Sequence, residues 1–317
     1  MRSENWIGVR AAAALVIATV ALLSMAPAMA DNRWGADYFP NTPLITQDGT
    51  IVRFYDDLLR GKAVAINAIY TTCKDECPLE TAKLVQLTRL LGDRVGKDIF
   101  FYSISIDPTR DTPEVLKEYA RKFGVGPGWL FLTGQPEDIK LVIKKLGLLR
   151  RRDAETRDGH SAILMLGDEP RGQWMRNSAV DNPRFLAATI RNFLGWRDEA
   201  PVRSYAEARP LTLDTGAYVF RSRCSACHTI GKGDGVGPEL AGVTTRRERG
   251  WLVRYLRHPD QMRAEKDPIA VTLAARFKDV SMPNLRLSEG EIAAVLSFLE
   301  AQDASPPLHR HDSSGSR

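Results

Sequence analysis

The chain has 317 residues, 44 Lys and Arg against 39 Asp and Glu, a formal charge of +5 and 44% hydrophobic residues. That is more chain than one small core needs and enough for two domains. Its short basic clusters, Arg150-Arg151-Arg152 and Arg246-Arg247, have no interleaved aromatics, which argues for solvated surface and against a nucleic-acid-binding face.

Residues 1–30 read as a secretory signal: Arg2 and Arg10 flank the start, Ala11 to Leu23 is apolar except for Thr19, and Ala28-Met29-Ala30 is a small-x-small cleavage site. The rival is an uncleaved anchor. Its apolar stretch, Ala11 to Ala26, falls short of the roughly 20 residues that span a bilayer. Cleavage after Ala30 is therefore expected, with a soluble, periplasmic mature chain.

Residues 31–197 alternate strand and helix. Leu44–Thr46 and Thr50–Phe54 flank Asp48-Gly49 as a hairpin, and Ala63–Tyr70 is a buried strand. Leu79–Leu91 has helical apolar spacing, Ile99–Ile106 is a strand, and Thr112-Pro113 opens a helix to Phe123. A short strand at Trp129–Leu132 and a helix from Pro136 to Leu146 follow. Ser161–Leu166 and Gln173–Arg176 bracket a turn at Gly167–Gly172, and Pro183–Trp196 is an amphipathic helix. The pattern predicts an α/β sheet covered by helices.

Residues 198–210, with two prolines and many charges, read as a linker. Residues 211–303 read as all-helical. One helix runs from Asp214 through Cys224-Ser225-Ala226-Cys227-His228, and others lie near Arg246–Arg257, Ile269–Phe277 and Ser288–Ala301, the last with a Ser288/Glu291 capping box. Residues 304–317 read as a disordered tail.

The C-x-x-C-H run is where haem c is attached: two thiols one turn apart add to the haem vinyl groups, and the next histidine ligates the iron. Zinc would need two further nitrogen or sulfur ligands nearby, and only His258 follows within forty residues. Met282, held by Pro283, is the candidate sixth ligand, with a soft sulfur; His258, beside Pro259, is its rival. Cys73 and Cys77 then have only each other, as a structural disulfide, a metal site or a redox couple. They lie in Cys73-Lys74-Asp75-Glu76-Cys77-Pro78 after a strand. This places Cys77 at a helix start, where backbone N–H groups and the dipole are expected to lower thiol pKa values.

Residues 211–303 resemble a class I c-type cytochrome, through Cys224–His228, Gly237-Pro238-Glu239-Leu240, Met282-Pro283-Asn284 and the closing helix Glu291–Leu299. The resemblance implies that the Pro238 carbonyl orients His228 and that His228 and Met282 ligate the iron, an arrangement suited to electron transfer. From Pro43 to Trp196 the chain resembles the Sco/SenC family, through Cys73–Pro78 and Ser103-Ile104-Ser105-Ile106-Asp107-Pro108-Thr109-Arg110-Asp111-Thr112-Pro113. This implies a thioredoxin-like fold, copper held by Cys73, Cys77 and His160, and association with assembly of the binuclear copper site of cytochrome c oxidase. Two thiolates suit Cu(I), and an imidazole extends the site to Cu(II). The chain departs from that pattern at Lys74, where proline is usual, and at Gly159, where an acidic residue is usual. Asp107 and Arg110 read as a helix-entry turn and a surface pair.

The expected whole is an exported α/β thioredoxin-like domain followed by an all-α cytochrome c domain. It would deliver copper to a respiratory oxidase subunit, or reduce the copper site there, while one haem relays single electrons. A metal-free thiol–disulfide oxidoreductase using Cys73 and Cys77 is the first alternative, and a plain electron carrier with a structural first domain is the second.

Overall fold

The computed structural model describes residues 34–73, 76–148, 162–196, 214–277 and 280–304. The expected signal (1–30), the linker (198–210) and residues 305–317 of the expected tail lie outside them, as does His160.

Strand side chains alternate between two cores. On β3 (Ala63–Ile69), Val64, Ile66 and Ala68 enter one cluster and Ala65 and Ile69 the other. The same alternation on β4 (Phe100–Ser105) and β5 (Trp129–Thr133) commits both faces of the sheet to burial. Three parallel strands form the centre, β3 beside β4 beside β5. The full order is β2-β1-β5-β4-β3-β6-β7, with β1 (Pro43–Thr46), β2 (Ile51–Arg53), β6 (Ile163–Asp168) and β7 (Gln173–Ser178) antiparallel at the flanks.

Helices α1 (Glu76–Leu91), α2 (Pro113–Phe123) and α4 (Pro183–Phe193) cover one face. Helix α3 (Pro136–Leu146) and the wide turn Phe54–Leu59 cover the other. The expected turn at Gly167–Gly172 is shorter than predicted: Gly167 and Asp168 continue β6, paired to Trp174 and Gln173.

The C-terminal half is helical. Helix α5 (Thr215–Val219), capped by the Asp214 side chain, widens into a π-helical turn, Phe220–Cys224. Short α6 (Val243–Arg246), α7 (Arg249–Arg257), α8 (Pro259–Ala264), α9 (Pro268–Arg276) and long α10 (Glu289–Ala304) follow. Helix α8 is absent from the sequence reading, since six residues are too few for a periodic signal. Ser288 and Glu291 form the expected capping box, with Ser288 N donating to Glu291 Oε2 at 2.9 Å and Glu291 N to Ser288 Oγ at 3.3 Å. Helices α5 and α10 cross at Gly216, where a Cβ would lie 2.7 Å from Phe298 Cβ. Only glycine allows that approach. Among the described residues no helix is long and apolar enough to cross a membrane.

Candidate functional site

Cys73 follows the carboxyl end of β3, and Cys77 sits in the first turn of α1. The turn folds back on itself: Cys73 N donates to Tyr70 O at 3.2 Å, and Cys77 N donates to Cys73 Sγ at 3.4 Å. Both cysteines are buried, at 7% and 0% exposure, so the pair is a soft-donor site shielded from water. The expected lowering of the thiol pKa at this helix start is corrected by the structure. Burial pushes the Cys77 thiol well above its ordinary value, and Cys73 and Glu80 add to the rise. Desolvation outweighs the dipole here because water does not reach the sulfur.

Two buried networks hold this turn. Asp111, fully buried, accepts from Thr71 N at 3.1 Å, from Ser105 Oγ at 2.6 Å and from Thr71 Oγ1. It ties the loop entering Cys73 to the end of β4. Across the sheet, Trp129 Nε1 donates to Ser103 Oγ at 2.9 Å, Ser103 Oγ to Asn67 Oδ1 at 2.7 Å, and Asn67 Nδ2 to Glu80 Oε1 at 2.8 Å. That chain pins α1, and with it Cys77, over the sheet. Neither network was predicted from sequence. Asp111 and Glu80 look like ordinary surface charges until the fold buries them. The Asp107–Arg110 pair is a 3.9 Å contact with an exposed arginine, as expected.

His160 lies outside the described residues, three positions before Ile163. β6 runs antiparallel to β3, so its start lies at the end of the sheet where β3 finishes. Among the described residues no three His, Cys, Asp or Glu side chains converge as a metal site. The described donors are the two thiols, a pair whose softness fits Cu(I).

The second site is an apolar cleft in the helical half. Cys224, Cys227, His228, Pro238 and Met282 all line it. The backbone bond from His228 N to Cys224 O, 3.0 Å, makes Cys224–His228 one turn that aims these side chains into the cleft. His228 Nδ1 lies 2.7 Å from Pro238 O. A carbonyl only accepts, so Nδ1 carries the proton and Nε2 keeps its lone pair for a metal. Burial lowers the His228 pKa against the opposing Pro238 bond, which favours the neutral, ligating form. Gly237 makes this possible: a Cβ there would stand 2.8 Å from His228 Cε1. Met282 is tethered through its carbonyl, which accepts from Arg263 Nη1 at 3.1 Å. His258 is exposed between α7 and α8 and is not part of the cleft wall. The donor set fits a haem bound through two thioethers, one imidazole and one thioether sulfur.

Residues 213–303 match the cytochrome c family, and residues 35–195 match the SCO1/SenC family. A SCO2-like protein of Rickettsia prowazekii is 35% identical over 144 residues, 44% of this chain and 67% of that protein. Protein SenC of Rhodobacter capsulatus is 34% identical over 101 residues, 32% of this chain and 43% of that protein. A crystal structure of Arabidopsis thaliana ScoI with copper bound is 26% identical, with a TM-score of 0.41, covering 50% of this chain and 99% of that one. With the paired thiols after β3 and the histidine-bearing cleft behind them, the chain belongs to the SCO1/SenC family and has a cytochrome c domain in the same polypeptide.

Proposed function

We propose that this is an exported, periplasmic protein that binds copper through Cys73, Cys77 and His160. It would deliver that copper to a respiratory cytochrome c oxidase subunit, or reduce the copper site there. The haem c domain, with Cys224 and Cys227 as attachment points and His228 and Met282 as axial ligands, would relay single electrons. The observation that carries the copper reading is the buried Cys73–Cys77 pair at the β3–α1 junction of a SCO1/SenC domain. Two soft sulfurs held together and shielded from water favour a cuprous ion over harder metals. An axial histidine with a fixed tautomer and a methionine in the same cleft favour electron transfer over oxygen chemistry.

The test is copper analysis of the haem-loaded protein after loading and desalting. One copper per chain is expected for the wild type, with loss in Cys73→Ser, Cys77→Ser and His160→Ala. The thiol–disulfide oxidoreductase reading is favoured by the 3.4 Å contact between Cys77 N and Cys73 Sγ, which keeps the sulfur of one cysteine beside the backbone of the other. It predicts no retained copper, and thiol exchange that survives His160→Ala.

A further inference from the structure

Helix α1 serves both halves of the molecule. Leu79, Lys83 and Gln86, spaced four and three apart, form one stripe along it. Pro78 and Leu79 line the same cleft as Cys224, His228 and Met282. Gln86 Nε2 donates to the Ser225 carbonyl, inside C-x-x-C-H, at 2.7 Å. Lys83, 5% exposed, lies within the electrostatic reach of Arg223 and Cys227. From the other side, Ala226, Cys227, Val236 and Val280 pack on the core cluster that contains Cys73 and Cys77. The helix that closes the cleft is the helix that begins at the thiol pair. Cys77 and Leu79 are two residues apart, about 3 Å along the axis.

We propose that Pro78 and Leu79 of the first domain complete the wall of the haem crevice, and that Cys77-Pro78-Leu79 is the route between the two redox centres. A c-type crevice closed by its own domain needs no such wall; here the apolar contact comes from the Sco half. Leu79 is a positioning residue. It excludes water and small ligands from the iron, and burial is one of the levers that raise a haem potential. The second half of the proposal rests on the copper reading above. The route carries one electron, lost by Cu(I) at the Cys73–Cys77 pair and gained by Fe(III) in the cleft, with no proton transfer and no further reactant.

The full-length, haem-loaded chain tests this through imidazole binding to the ferric haem and the haem midpoint potential. Leu79→Ala and Gln86→Ala are each expected to speed imidazole binding by about tenfold and to lower the potential, while Leu79→Met stays near wild type. Gln86 is half-buried, so its variant keeps the test valid if Leu79→Ala folds poorly. Imidazole binding rates within about twofold of wild type, with unshifted midpoint potentials, in both alanine variants would overturn the wall. In the protein loaded with Cu(I), haem reduction is expected to be first-order and independent of protein concentration. An observed rate constant that rises in proportion to protein concentration would overturn the route. If the wild type retains no copper, the copper reading fails while imidazole binding still decides the wall.

Discussion

Gln86 Nε2 and the Ser225 carbonyl, 2.7 Å apart, join residues 139 positions apart in the chain. One belongs to the helix that starts at the thiol pair and the other to the haem attachment turn. A side-chain amide spent on a backbone carbonyl across a domain boundary orients the two halves. It also places Lys83, one turn earlier on α1, beside Arg223.

That placement sets a pH dependence. Burial, with Arg223 adding to it, pushes Lys83 from its ordinary 10.5 to about 8. The unfolded chain keeps this proton up to about 10.5, whereas the folded chain releases it from about 8. Between those values the unfolded state binds more protons, so stability rises with pH across that window. Lys83→Met should be more stable relative to wild type at about pH 7.5 than at about pH 10, as read by denaturant unfolding. An equal difference at both pH values would rule out a charged, desolvated Lys83.

Asp111 should matter for the copper site without touching it. Asp111→Ala removes the acceptor for the half-buried Thr71 N and for the buried Ser105 hydroxyl, and leaving the latter unpaired costs about 1–3 kcal/mol. Urea unfolding should show the loss, and retained copper should fall because the loop entering Cys73 loses its anchor. Unchanged stability would show that water replaces the carboxylate.

Gly237→Ala puts a methyl group 2.8 Å from His228 Cε1. The ring must tilt away from the Pro238 carbonyl or the loop must open. The haem-to-protein ratio of purified material is expected to fall and the midpoint potential to shift, while copper retention stays at the wild-type level. A normal haem content with an unshifted potential would mean that the loop yields freely.

Gly216→Val is the corresponding test of the helical core. The side chain meets Phe298 and the Ala294 carbonyl at the α5–α10 crossing. Overpacking of this kind costs about 1–3 kcal/mol. The thermal unfolding midpoint of the haem-loaded protein should drop, and the Gly216→Ala variant should lose less.

The sequence by itself was enough for most of the chain's elements, because these depend on local pattern. Period-two and helical spacings, Pro at N1 of α2, α3 and α4, and the Ser288/Glu291 box each act within a few residues. Cys224–His228 and Cys73–Pro78 were legible as chemistry for the same reason, since each motif places its groups within about one helical turn. What only the tertiary structure decided depends on groups far apart in the chain. Asp111 reaches back 40 residues to Thr71, Glu80 meets Asn67 beneath the sheet, and Leu79 enters a cleft built by residues 223–285. The Cys77 thiol belongs to the same class: its local helix start favours the thiolate, and burial by the assembled core reverses that preference. Local sequence specifies which groups are present and in what turn. Their solvation, and therefore their charge and partners, is set by what the rest of the fold packs over them.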